Sequence, residues 1–183
     1  MQVECKTGFW LSADMETSLK YDTFEDLGGY SAQPPIDSAW KFLQGSCLIF
    51  ALNLHKIFGY EIRIAWDAPF LDRTENIWDT PAISRTDAPK SFWEHLVHGY
   101  CVAELDGRTA YIDIRGITTE RQPFFDAFAD RFHPCPFEEP KIDPAGLEKF
   151  LSTDEQNREV FFLAEKLITE RKGDYTLPQS HQE

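Results

Sequence analysis

The segment Ser46-Cys47-Leu48-Ile49-Phe50-Ala51-Leu52-Asn53-Leu54-His55-Lys56-Ile57-Phe58-Gly59 sets the terms on which this chain can fold. Ser46 is a good N-cap, Lys56 suits the negative end of a helix dipole, and Gly59 is a natural left-handed stop, so the spacing predicts one helix between them. Apolar residues cover nearly its whole circumference. A helix without a polar face has to be enclosed on all sides, which puts this one at the centre of the fold. It runs directly into Tyr60-Glu61-Ile62-Arg63-Ile64-Ala65-Trp66, whose alternation predicts a half-buried strand.

A hairpin is the second fixed point. His98 to Leu105 and Arg108 to Arg115 flank Asp106-Gly107, a strong two-residue hairpin signal. Such a turn pairs residue 105 with 108, so the numbers of facing residues add to 213 and His98 faces Arg115. Gly116 ends the second strand. Thr119 and Pro123 suggest a helix over 120–131, with a loop from Pro134 to Pro140 and helices near 144–152 and 154–171. Ser152 with Glu155 has capping-box spacing for the last of these. Residues 1–30 are weakly patterned and end in Gly28-Gly29, and Pro34-Pro35 fixes an extended approach to the central helix. Residues 67–90, with Pro69, Pro81 and Pro89, read as a long loop, either a lid or a surface insertion. The expectation is an α+β fold: one domain over 1–173 with a buried helix on an antiparallel sheet, and a frayed tail over 174–183.

Composition matters where it excludes classes of function. Of 183 residues, 42% are hydrophobic and 14% aromatic, which rules against wholesale disorder. The net charge of −13 would repel a phosphate backbone, so no nucleic-acid partner is expected. A basic protein or peptide partner, or plain solubility, fits the charge. No apolar run approaches the roughly 20 residues of a membrane span. The N-terminus lacks a cationic stretch followed by an apolar one, so no secretory signal is expected. Cytoplasmic localisation is the expectation, with signal-independent secretion as an effector the alternative. Cys5, Cys47, Cys101 and Cys135 are too few and too spread for a disulfide framework.

Three residues carry possible chemistry. Cys47 opens the central helix, where the dipole and the first-turn N–H groups favour a thiolate, the nucleophilic form. His98 begins a strand, followed by Gly99, which leaves its ring uncrowded. Asp113 lies two residues along from Arg115 and diagonal to His98, roughly 7–8 Å away along the backbones, a gap side chains can close. Nucleophile, base and orienting carboxylate are the parts of covalent acyl transfer. Singly, each has a plainer reading: Cys47 as a packed hydrophobe, His98 as a strand-end residue, Asp113 as a partner of Arg115 or Arg108.

Gly45-Ser46-Cys47, Phe50-Ala51, Leu54-His55 and Gly59-Tyr60 resemble the nucleophile helix of papain-like and transglutaminase-like cysteine enzymes. His98-Gly99-Tyr100, Val102 and Tyr111-Ile112-Asp113 resemble that superfamily's His and Asp strands, in the same order. The resemblance spans about 47–66 and 98–116. It implies Cys47 as nucleophile, His98 as general base and acid, and Asp113 as the residue orienting His98. It also implies an oxyanion hole made by the Cys47 backbone N–H and a second donor. Papain-type enzymes supply a glutamine several residues before the cysteine. Here Gln44 stands three residues ahead and Gln33 further back, with Trp40 as a possible wall of the site.

Other constellations carry less. His95, His98 and Cys101 lack a fourth ligand for zinc, and His133-Pro134-Cys135-Pro136 reads as a rigid loop, so no metal is expected. No glycine-rich phosphate-binding string exists, and no cofactor is expected. His55 suits the helix dipole. The expected function is an amide hydrolase or glutamine deamidase acting on a protein or peptide. The alternatives are acyl transfer by the same triad and a non-catalytic binding or antagonist protein on the same scaffold.

Overall fold

The computed structural model describes residues 39, 41–43, 45–66, 96–126, 128, 139 and 141–178. The central helix, α1, runs Cys47–Phe58, and its first eight residues are all buried. Gly59 ends it at φ 77°, and its N–H donates to the His55 carbonyl at 2.7 Å. A left-handed residue is what stops an α-helix in this way. Ser46 occupies the cap position, and its carbonyl accepts from Ile49 and Phe50. Its hydroxyl makes no cap bond, contrary to the sequence expectation. The reason is backbone: at φ −111° and ψ 18° the residue is not extended, which is the conformation that aims a capping side chain at the first turn.

Two residues after α1 the chain enters β1, Glu61–Trp66. Strands β2, Leu96–Leu105, β3, Arg108–Asp113, and β4, Gly116–Thr118, complete a four-stranded antiparallel sheet in the order β1-β2-β3-β4. Asp106 at φ 52° and Gly107 at φ 74° make the tight hairpin turn that matches strand twist. The register is the one the turn dictates, with Leu105 opposite Arg108 and Cys101 opposite Ile112.

The expected strand to Arg115 and the facing pair His98–Arg115 do not form, because β3 stops at Asp113. The Asp113 carboxylate accepts the Arg115 backbone N–H at 2.8 Å, an Asx-type turn that reverses the chain. Gly116, at φ 104°, then pairs back with Asp113.

Alternation along the strands divides the core in two. Cys101 and Ile112 join the α1 cluster with Ile62, Ile64 and Ile114. Tyr100, Val102 and Tyr111 point the other way, against Phe124, Phe125 and Phe128. Phe124 and Phe125 belong to α2, Arg121–Asp126; of the expected 120–131 helix, residues 127 and 129–131 lie outside the described residues. The far side of α1 is covered by α3, Pro144–Leu151, and α4, Asn157–Glu170. α3 starts at a true side-chain cap, Asp143, which accepts from Gly146 at 2.7 Å.

The Ser152–Glu155 capping box does not form. Ser152 closes α3, and the connection is held instead by Asp154, which accepts from the Gln156 N–H, and by Asn157, which donates to the Leu151 carbonyl. The expected tail boundary at 174 also shifts. α5, Lys172–Tyr175, ends in a fully buried tyrosine whose hydroxyl donates to the Ile114 carbonyl at 3.1 Å, while its own carbonyl accepts from Tyr60 at 2.7 Å. The mixed architecture of helices and antiparallel sheet is α+β. Residues 1–30, the Pro34-Pro35 approach and the 67–90 loop lie outside the described residues. Among the described residues, no helix is long and apolar enough to cross a membrane.

Candidate functional site

Gly99 is what brings the central helix to the sheet. A Cβ at this position would lie 2.6 Å from Leu48 Cδ2 and 3.3 Å from Leu48 Cα, so only glycine lets the first turn of α1 lie against β2. Its role is therefore helix approach rather than room for the neighbouring imidazole. Cys47 precedes Leu48 in the same first turn, and its thiol interacts with the His98 ring. Beside it the β1–β2 register slips: Ala65 pairs with His98 but Trp66 with Leu96, leaving Val97 as a bulge. Bulges re-aim neighbouring side chains and are common next to functional sites.

His98 Nε2 lies 2.9 Å from Asp113 Oδ2. Nδ1, the other ring nitrogen, is buried and makes no geometric hydrogen bond among the described residues. The Cys47 thiol acts on the ring, together with Asp113, to favour its protonated form. Cys47, His98, Asp113 and Arg115 are 6%, 0%, 3% and 0% exposed, so the cluster is sequestered from water.

Arg115 is the residue that sequence reasoning undervalued. Its Nε lies 3.1 and 3.0 Å from the two Asp113 oxygens, and its Nη2 lies 2.7 Å from Oδ2 and 3.1 Å from the Phe124 carbonyl. The Asp113 carboxylate serves both of its sequence-expected partners, His98 and Arg115. The usable signal was the Asp-x-Arg spacing across a turn. Phe124 and Phe128 enclose the pair: Phe128 lies 4.3 Å from the His98 ring, and the guanidinium carbon sits 4.6 Å over Phe124 and 5.2 Å over Phe128.

The electrostatics follow from this packing. Burial opposes the charge on Asp113, but Arg115 and the His98 hydrogen bond outweigh it and hold the carboxyl well below the usual carboxylate range. Burial likewise opposes the imidazolium, but Asp113 and Cys47 outweigh it and raise His98. An ionised carboxylate only accepts, so Nε2 is the nitrogen that carries the proton, and in the neutral ring Nδ1 keeps its lone pair. A lone pair beside a thiol is what a general base needs.

The remaining candidates fall elsewhere. Cys101 is buried on the α1 side, donates its Sγ–H to the Ala51 carbonyl at 3.2 Å and is pushed up by burial, which makes it an inert thiol. Its bond, and that of His98 to Asp113, leave neither poised for a metal. No group of three or more histidine, cysteine or acidic side chains that could hold a metal occurs among the described residues. His55 Nδ1 lies 2.7 Å from the Tyr60 carbonyl, so it braces the α1–β1 corner. Gln33, Trp40, Gln44, His95, His133 and Cys135 lie outside the described residues. Comparison with known protein families finds no matching family model, and neither the curated proteins nor the solved structures contain a match to this chain.

Proposed function

We propose that the protein is a papain-like or transglutaminase-like cysteine enzyme, an amide hydrolase or glutamine deamidase acting on a protein or peptide. The observation that carries this reading is the Nε2–Oδ2 bond between His98 and ionised Asp113, which frees Nδ1 for Cys47 at the start of a buried helix. In the reaction, Nδ1 takes the thiol proton and Sγ attacks the substrate carbonyl. The C–N bond breaks as His98 returns the proton to the leaving amine or ammonia. Water, deprotonated by His98, then cleaves the thioester and restores the thiol. The second oxyanion donor would come from Gln44 or Gln33, and the acidic surface suits a basic substrate protein.

The test is the pH dependence of alkylation at each cysteine, mapped by mass spectrometry in wild type and His98→Ala. Cys47 is expected to react well below the pH set by the ~8.5 pKa of a free thiol, and to lose that advantage in the variant. A Cys47 that behaves as an ordinary or inert thiol removes the enzyme reading. The near-complete burial of the triad favours, in that event, a second reading, a binding protein that keeps the scaffold without turnover. Release of ammonia from glutamine peptides separates deamidation from cleavage.

A further inference from the structure

We propose that Arg115 is the positioning residue of the site: it clamps both oxygens of Asp113, so that the carboxylate can only receive the Nε2 proton of His98 and Nδ1 stays open toward Cys47. This inference rests on the cysteine-nucleophile reading and adds to it the device that selects the working tautomer.

The clamp is more than an ion pair. The Arg115 backbone N–H holds Oδ1, Nε spans both oxygens, and Nη2 holds Oδ2 while also donating to the Phe124 carbonyl. Backbone and side chain of one residue thus grip one carboxylate in two directions. The planar fork fixes the carboxylate plane, a geometric service that a lysine point charge does not supply. Phe124 and Phe128 lie against both the guanidinium and the imidazole, so the fork and the ring are held in register.

Without the clamp, Asp113 would be a buried carboxylate with His98 as its main partner. Burial alone drives such a group toward its protonated form. A protonated carboxyl can donate to Nε2, which sends the ring proton to Nδ1 and blocks transfer from the thiol. Among the described residues, the other ionisable groups facing this cluster do not compete. Cys101 and Tyr100 on β2 and Tyr175 on α5 are all pushed up by burial and stay neutral.

The experiment pairs two readouts on the full chain in wild type, Arg115→Lys and Arg115→Met. Histidine-selective 15N NMR reports which His98 nitrogen carries the proton in the neutral ring, and per-cysteine alkylation gives the pH profile of Cys47. Wild type is expected to show Nε2–H. Arg115→Met is expected to populate Nδ1–H and to move the acid limb of Cys47 reactivity up by about one pH unit, a roughly tenfold loss on that limb. Arg115→Lys keeps the charge, so it should restore the limb but not the full rate. A residue that only packs would lower stability without moving tautomer or limb, and that result in folded Arg115→Met overturns the proposal. If Arg115→Met does not fold, wild type and Arg115→Lys decide: Nδ1–H in wild type, or full wild-type rate in the lysine variant, overturns it. Cys47 reactivity indifferent to His98→Ala instead removes the nucleophile reading, while the NMR still judges the clamp.

Discussion

Gly99→Ala isolates the contact on which the site depends. The added Cβ would lie 2.6 and 3.1 Å from Leu48 Cδ2 and Cγ, and 3.3 Å from Leu48 Cα. Ordinary carbon contacts lie at about 3.5–4.0 Å. Rotation of Leu48 relieves the first two contacts only, and Leu48 is itself buried, so a displaced rotamer has no open space to enter. The third contact is to backbone, so α1 has to move away by a few tenths of an ångström. Overpacking of this kind costs about 1–3 kcal/mol. Alanine recovers about 0.5–1 kcal/mol over glycine in a strand interior. The expected net loss is therefore about 0–2.5 kcal/mol, read by denaturant titration, with Tm lower by up to several degrees. Because the shift carries Cys47 away from His98, its alkylation near neutral pH is expected to fall more steeply than the stability loss accounts for. A variant as stable as wild type, with unchanged Cys47 reactivity, would refute the argument that this glycine sets the helix–strand approach.

Asp113→Asn leaves the buried Arg115 without its counter-charge and should cost about 3–5 kcal/mol in denaturant titration, a loss that Asp113→Asn/Arg115→Met should largely recover. Because Asp113 is lower in the folded state than in the unfolded chain, its contribution is present above the unfolded carboxylate pKa of about 3.9 and vanishes as pH falls through the folded value, so acid unfolding should set in later in Asp113→Asn relative to its own neutral-pH stability. His98 is raised in the folded state, so its contribution is complete below about pH 6.5 and disappears as pH rises through the folded value; the Tm difference between wild type and His98→Gln should narrow across that range. Truncation after Gly173 removes the buried Tyr175 and should cost about 3–5 kcal/mol, whereas a Tm equal to that of the full chain would show the residue to be dispensable.

What could be read from the sequence was what local chemistry determines. The helix Cys47–Phe58 follows from its apolar circumference and Gly59, and the hairpin register follows from Asp106-Gly107, so the diagonal approach of Asp113 to His98 was available from turn length alone. The early end of β3 was not, because it depends on a side chain. Asp113 turns the chain by taking the Arg115 N–H, while its place in an alternating pattern reads as strand. The sequence places Arg115 opposite His98 and within reach of Asp113, but its burial depends on aromatic residues that arrive from α2. Tyr175 falls among the last ten residues, which read as a frayed tail. Its place in the core is set by Tyr60, Phe50 and Ile114, distant in sequence and close in space. Long-range pairings of this kind leave no local signature.

The base and the thiol reach the site by different routes. His98, Asp113 and Arg115 all belong to one short run of hairpin, closed by two tight turns, so the oriented imidazole is assembled by contacts among near neighbours in the chain. Short-range contacts of this kind form early and quickly. Cys47 comes on a separate element and meets the ring only when α1 docks over Gly99. A chain with an undocked helix would still hold its prepared histidine but would present an ordinary cysteine. On the proposed cysteine-enzyme reading, activation of Cys47 would therefore require the helix and the hairpin to be docked, and an undocked chain would offer only an ordinary thiol.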